Sequence, residues 1–275
     1  MKKTVATITA GEKITVLTAY DYTTARLLDE SGIDVLLVGD SLGMVMLGYK
    51  DTLSVTVEDM LHHTKAVARG TQSALILADM PFMSYQADVS EAVRNAGRLV
   101  GQGGANAVKL EGGAEISPQV RAITNAGIPV MGHIGLTPQT VNALGGFKVQ
   151  GKTLETARKL VTDAKALEDA GAFAVLLECV PAMIAKYIAD SLAIPTIGIG
   201  SGKYTAGQVL VIHDIAGLYR EFTPKFVRRY ADAGEEIKNA AKQYIKDVRS
   251  GEFPAGEHTF AVPEDVLLQI TGGHA

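Results

Sequence analysis

The sequence predicts a closed parallel (β/α)8 barrel, and three observations carry the prediction. Short Val-, Ile- and Leu-rich runs alternate with helix-length segments along 275 residues, an ordinary length for one such barrel. The runs are continuously apolar, as strands buried on both faces must be. Four of them end on an acid: VLLVGD on Asp40, ALILAD on Asp79, AVKLE on Glu111 and AVLLE on Glu178. In a parallel sheet the strand ends share one rim, so these carboxylates converge. An open doubly wound sheet is the alternative architecture.

The elements follow in order. Strand Lys13–Ala19 leads to helix Tyr22–Glu30, which Ser31-Gly32 stops. Strand Val35–Val38 precedes helix Val57–Arg69 with Gly70 at its end, and strand Ala74–Ala78 precedes helix Ser90–Gly101. Strand Ala107–Leu110 leads to helix Ile116–Asn125, closed by Ala126-Gly127, and strand Pro129–Met131 to helix Leu154–Ala170, closed by Gly171. Strand Ala174–Leu177 precedes helix Ala182–Ser191. The seventh unit is weak: after strand Pro195–Ile199 only the loop GSGKYTAG precedes the last strand, Gln208–Ile212. No linker or composition shift divides the chain, so residues 1–275 form one domain with a helical extension at about 224–250, read as helix Lys225–Arg249. That helix is expected on the barrel exterior or against a neighbouring subunit.

Composition narrows the function class. The chain is 47% hydrophobic and 20% charged, with a net charge of −4, which disfavours non-specific nucleic-acid binding. A single cysteine, Cys179, excludes an intrachain disulfide and fits a reducing compartment. The opening MKKTVATITAGEK is too broken by threonines for a signal peptide, and no run approaches the roughly 20 apolar residues of a membrane helix. A cytoplasmic protein is expected, with neither membrane nor nucleic acid as partner.

Four converging carboxylates need a cation or a proton. Oxygen-rich ligation favours a hard ion such as Mg2+, one per subunit. Asp40 and Asp79 are the candidate direct ligands, Glu111 binds directly or through water, and Glu178 is left free to move protons. Lys109 stands two residues before Glu111, so both side chains leave one face, and a cation there suits an anionic substrate. Each residue also has a structural reading. A lone Asp at a strand end is often a helix cap. Lys109 can serve as an ion-pair partner of Glu111, and His133 reads more readily as a hydrogen-bonded barrel histidine than as a ligand. Cys179 is expected to be small and buried, with no base nearby to activate it. His62-His63 reads as surface or packing. IGIGSG can cradle a phosphate, but it lacks the G-x-G-x-x-G spacing.

Nine segments in this order resemble the ketopantoate hydroxymethyltransferase family. They are TAYDYTTA (18–25), GDSLGMVMLGY (39–49), ADMPFMSY (78–85), KLEGG (109–113), GHIGLTPQ (132–139), LECVP (177–181), IGIGSG (197–202), GQVLVIHD (207–214) and FPAGEHTF (253–260). The resemblance implies a (β/α)8 TIM barrel of the pyruvate/phosphoenolpyruvate-binding type. It implies transfer of a hydroxymethyl group from 5,10-methylenetetrahydrofolate to 2-oxoisovalerate (3-methyl-2-oxobutanoate) through a Mg-stabilised enolate. The product would be 2-dehydropantoate, in pantothenate biosynthesis. By motif, Asp40, Asp79 and Glu111 match the magnesium site, Glu178 the proton acceptor, and Asp40, Ser41, Asp79 and Lys109 the keto-acid contacts. The family assembles as ring-based homo-oligomers, commonly decamers. One departure is visible: where the family usually has Asp-Gly-Gln, this chain reads Ala206-Gly207-Gln208. The alternatives are another metal-dependent enolate lyase or mutase on the same barrel, or a non-catalytic metabolite-binding barrel. The lyases normally carry a cysteine on a mobile loop, whereas Cys179 stands at a strand end.

Overall fold

Continuous apolar strands need cover on both faces, and the chain supplies it by closing its sheet into a ring. The computed structural model describes residues 2–8 and 12–272. It runs α1 (Val5–Ile8), β1 (Ile14–Thr18), α2 (Tyr22–Glu30), β2 (Val35–Val38), α3 (Leu42–Val45), α4 (Val57–Gly70) and β3 (Leu75–Asp79). Next come α5 (Val89–Gly101), β4 (Ala107–Glu111), α6 (Ser117–Asn125), β5 (Val130–Gly135), α7 (Val141–Leu144), α8 (Leu154–Asp169) and β6 (Ala174–Glu178). The chain ends with α9 (Ala182–Ser191), β7 (Thr196–Ile199), β8 (Gly207–Leu210), α10 (Ile212–Ile215), α11 (Ala233–Ser250) and α12 (Glu264–Ile270). Every strand pairs in parallel with its neighbour in sequence, and β8 returns to β1.

Alternate residues of each strand face opposite ways. Val35 and Leu37, Leu75 and Leu77, Ala107, Met131, Ala174 and Leu176, Ile197 and Val209 fill the lumen as one buried cluster. Their neighbours, among them Leu36, Ile76, Val108, Val130 and Val175, face the helices and pack with Met60, Val67, Leu99, Leu167 and Ile188. Each fully buried aliphatic contributes roughly 1.5–3 kcal/mol. Ile8 of α1 joins the lumen cluster, so this short helix plugs the amino-terminal end of the barrel. The Lys3 ammonium, 2.7 Å from Asp34, pins the plug to the rim.

Side chains cap the helices where strands hand over to them. Asp21, Asp88 and Thr153 each accept a backbone N–H of the first turn, and Thr56 with Asp59 forms a reciprocal capping box. Gly70 stands where the helix stops, as expected, and also serves packing. It is the last residue of α4, where a Cβ would stand 2.5 Å from the Tyr22 carbonyl, so it serves the close approach of α2 and α4.

Three boundaries differ from the sequence reading by two residues or more. β5 runs on to Gly135 rather than ending at Met131, because Gly132 lies flat beneath Leu167, 2.6 Å from where a Cβ would stand. β8 stops at Leu210, and Ile212 instead opens α10, its N–H held by Thr18 Oγ1 at 3.0 Å. The tail helix begins at Ala233 rather than Lys225. The N–H groups of Tyr230, Ala231 and Ala233 are spent on the carbonyls of Ile215 and Ala216, which holds the preceding segment out of a helix. Neither α11 nor α12 buries a residue, and Ile237, Tyr244, Ile245 and Val248 of α11 are exposed. Among the described residues no helix is long and apolar enough to cross a membrane.

Candidate active site

The two-residue period that fills the lower lumen with aliphatics delivers charge at its upper end. Asp79 continues the inward series of Leu75 and Leu77, Lys109 and Glu111 that of Ala107, His133 that of Met131, and Glu178 that of Ala174 and Leu176. Register sets Asp79 beside Lys109, Glu111 beside His133, and Glu178 beside Gly135. Asp40 follows β2 after Gly39, and its N–H donates to Asp79 Oδ2 at 3.0 Å. All four strand-end acids therefore meet at the carboxyl-terminal mouth, the functional end of such barrels. Asp40, Asp79, Lys109, Glu111 and His133 are each no more than 4% exposed.

Two cations stand among the acids. Lys109 Nζ lies 2.9 Å from Asp79 Oδ1 but 3.9 Å from Glu111 Oε1, so its partner sits across the strand gap and not along its own strand. His133 stands between two carboxylates: Nδ1 is 3.3 Å from Glu111 Oε1 and Nε2 is 3.3 Å from Glu178 Oε2. Lys109 Nζ and His133 Nδ1 are 3.2 Å apart. The Ser41 hydroxyl is 2.8 Å from that of Tyr20, a fully buried ring.

Burial sets the electrostatics, and the partners decide its outcome. Burial, then the charges of Asp79 and Glu111, push Asp40 well above the usual carboxylate range. Burial also raises Asp79, against the pull of Lys109. Glu111 goes the other way: burial opposes its charge, but His133 and Lys109 outweigh it and hold the carboxyl low. Burial and Lys109 disfavour a charged His133, yet Glu111 and Glu178 prevail and push it up to about 9. Lys109 is likewise raised, with Asp79, Glu111 and Asp40 overcoming burial.

These residues fit a divalent cation. Four carboxylates face only Lys109 and His133, which leaves negative charge uncompensated in a buried site. Asp79 Oδ1 is met by the Lys109 ammonium at 2.9 Å, and Asp79 Oδ2 by the Asp40 N–H. Among the described residues no three His, Cys, Asp or Glu side chains form a ready chelating cage. The oxygen donors of the strand-end acids are of the kind a hard ion such as Mg2+ takes, with water and ligand oxygens completing its octahedron.

The sequence reading placed Tyr20 at a strand end in the mouth but did not single out two other residues of this network, Gln139 and Tyr85. Gln139, in a 3-10 turn at Pro138–Thr140, donates from Nε2 to Asp40 Oδ2 at 2.8 Å and from its backbone N–H to Glu111 Oε2 at 2.9 Å. The Tyr85 hydroxyl bonds the backbone of Glu111 on both sides, and Tyr20 holds Ser41. Gln139 and Tyr85 lie inside strings that carried the family resemblance, which was their only signal. Other candidates resolve as structure. His63 Nδ1 is 2.6 Å from the Tyr20 carbonyl. Cys179 is half-buried instead of buried, at φ +50°, with its thiol pushed up to about 11 by burial and by Glu178. The IGIGSG loop is filled by its own packing: Gly200 lies under Phe226, and Ser201 Oγ donates to Leu177 O. Ala206 directly precedes β8 at the opposite rim, and its carbonyl accepts from Ile14.

The chain is similar to proteins of one named family. The family model described as ketopantoate hydroxymethyltransferase matches residues 1–256. A 3-methyl-2-oxobutanoate hydroxymethyltransferase of Clostridium novyi (strain NT) is 60% identical over 98% of this chain and 100% of its own. That of Syntrophus aciditrophicus (strain SB) is 61% identical over 91% of this chain and 92% of its own. Among solved structures, phosphonopyruvate hydrolase in complex with oxalate and Mg superposes with a TM-score of 0.60 at 14% identity, over 98% of this chain and 94% of that one. 2,3-Dimethylmalate lyase, a PEP mutase/isocitrate lyase superfamily member, gives 0.57 at 17% identity, over 95% and 90%. At such identities these two likenesses establish the barrel alone.

Proposed function

The chain belongs to the ketopantoate hydroxymethyltransferase family, an enzyme family of the transferase class, and from that premise we propose the reaction it performs. It transfers the one-carbon unit of 5,10-methylenetetrahydrofolate to C3 of 2-oxoisovalerate, giving 2-dehydropantoate. Asp40 and Asp79 would hold Mg2+, with Glu111 binding directly or through water, and the bound ion would supply Lewis-acid polarisation of the keto carbonyl.

The side chains divide the remaining work. The Lys109 ammonium and the Ser41 hydroxyl hold and orient the substrate oxygens, and Tyr20 fixes the hydroxyl. Glu178 takes the C3 proton, so the C–H electron pair becomes that of the enolate. Water adds its oxygen to the folate methylene as both C–N electron pairs leave onto the nitrogens, which take the two water hydrogens. The enolate carbon then attacks the formaldehyde-level carbon so released, and its oxygen takes the proton back from Glu178. The observation that carries this role is exposure. The Glu178 side chain is 16% exposed, while those of Asp79 and Glu111 are 3% and 2%, so it is the acid a substrate in the mouth can reach. His133 sets a cationic ring edge behind it. The reading extends to assembly and location. The exposed apolar side chains of α11 suit contact with further copies in a ring-based homo-oligomer, a decamer by family resemblance, which sedimentation mass measures. A single cysteine suits the cytoplasm.

The test is a proton NMR time course in D2O with 2-oxoisovalerate, Mg2+ and methylenetetrahydrofolate, and with EDTA as control. A metal-dependent hydroxymethyl signal that grows as the C3 proton disappears is the expected result. C3 exchange without product keeps the proton-abstraction site but replaces the acceptor. No change in either signal overturns the proposal.

A further inference from the structure

Gln139 is 3% exposed, and every polar atom of its side chain is engaged. Nε2 donates to Asp40 Oδ2 at 2.8 Å and to the Met80 carbonyl at 2.9 Å. Oε1 faces the Tyr85 hydroxyl at 2.8 Å and accepts from Gln86 Nε2 at 3.2 Å. Its backbone N–H reaches Glu111 Oε2 at 2.9 Å. One residue thus grips two of the three acids assigned to the metal, from two different strands.

The direction of the amide is forced. A main-chain carbonyl only accepts, so Met80 O keeps the NH2 end turned towards Asp40, and the reversed amide would oppose two oxygens with a third. Among the described residues Gln139 is the only side chain that hydrogen-bonds the Asp40 carboxylate. Without it, one oxygen of a buried carboxylate has neither a fixed direction nor a partner. Tyr85 extends the brace: its hydroxyl lies 2.8 Å from the Glu111 carbonyl and accepts the Glu111 N–H at 3.0 Å.

We propose that Gln139 is the positioning residue of the metal pair, fixing one oxygen of Asp40 and one of Glu111 so that the remaining oxygens present a set geometry to Mg2+. The identity of the ion rests on the proposed function; the brace does not. Gln139 touches neither ion nor substrate in this role. Partners of this kind typically change metal affinity by about 10- to 100-fold.

The experiment is calorimetry of Mg2+ binding to the full chain, with thermal melts and C3 exchange of 2-oxoisovalerate at saturating Mg2+. Gln139→Met should raise the Mg2+ Kd by about 10- to 100-fold. Its exchange rate at saturating Mg2+ should fall by a smaller factor than its Mg2+ affinity, so that most of the loss lies in metal binding. Thr140→Val loosens the same turn at its exposed residue, where Thr140 Oγ1 meets Thr137 Oγ1. It should shift the melt and leave the Kd alone. Tyr85→Phe keeps the ring, removes the hydroxyl facing Gln139 Oε1, and should move the Kd the same way by less. An unchanged Kd in Gln139→Met and Tyr85→Phe overturns the proposal, as does an equal shift in Thr140→Val. So does a wild-type chain that binds no Mg2+. A wild-type chain that binds Mg2+ and loses affinity in Gln139→Met, but shows no C3 chemistry, leaves the brace standing and removes the proposed reaction.

Discussion

The two ends of the barrel lumen are built by one rule and hold opposite contents. At the amino-terminal end the inward positions are Ile14, Val35, Leu75 and Ala107, sealed by Ile8 of α1. At the carboxyl-terminal end the same strands, a few residues further on, carry Asp79, Lys109 and Glu111, joined there by His133 and Glu178. The lower half gains stability from apolar burial. The upper half gives up stability by burying charge, and covers only part of the loss with Lys109 and His133. Strand geometry alone does not separate stability from chemistry; the separation comes from which residues occupy successive inward positions.

Substitutions should pull the two ends apart. The largest effect belongs to the mouth. Glu178→Gln keeps the shape and removes the base, and should lower the rate of C3 proton removal by about a hundredfold to ten-thousandfold with Mg2+ binding retained. Near-normal turnover of that variant, measured by NMR, takes Glu178 out of the mechanism. Next comes the floor. Leu75→Ala empties part of the fully buried lumen and should cost about 2–5 kcal/mol of unfolding free energy, while the Mg2+ Kd of the folded protein holds. A large fall in Mg2+ affinity there would mean that the halves are mechanically coupled. The smallest effect is expected at the far rim. Ala206→Asp restores the family's acid where the side chain is half-buried beside β8 and far from the strand-end acids, and should leave turnover close to wild type. A marked change in steady-state kinetics would contradict the separation.

The sequence made the mouth legible because its acids end recognisable strands and the two-residue period aims them. Asp79, Lys109, Glu111 and Glu178 needed no tertiary information beyond a parallel sheet. Ser41 was legible as a residue just past a strand end, and its substrate contact entered through resemblance. Gln139 was hidden for a physical reason: it acts from a 3-10 turn after β5, and its partners Asp40 and Met80 are 99 and 59 residues away. His133 was legible as a buried histidine but not as a bridge, since that role needs Glu111 and Glu178 on both sides of the ring. The plug of α1 is four residues long, too short for helical periodicity to register. The tail helix was placed early because the amphipathic pattern continues through Lys225–Asp232, where backbone bonds to Ile215 and Ala216 overrule it.

The missing helix between β7 and β8 has a consequence for how the ring comes apart. These strands pair only through Ile197–Gly207 and Gly198–Gln208, whereas β5 and β6 pair from Met131–Ala174 to Gly135–Glu178. A helix clasps each of the six joints from β1–β2 to β6–β7, and β8 closes on β1 over four residue pairs. At β7–β8 the connection is a loop held by Gln208 Nε2 to Gly202 O and Thr205 Oγ1 to Gly207 O. A hoop parts at the joint that is both unclasped and shortest. The amides of β7 and β8 are then the first to trade their protons with water, and those of β5 and β6 among the last.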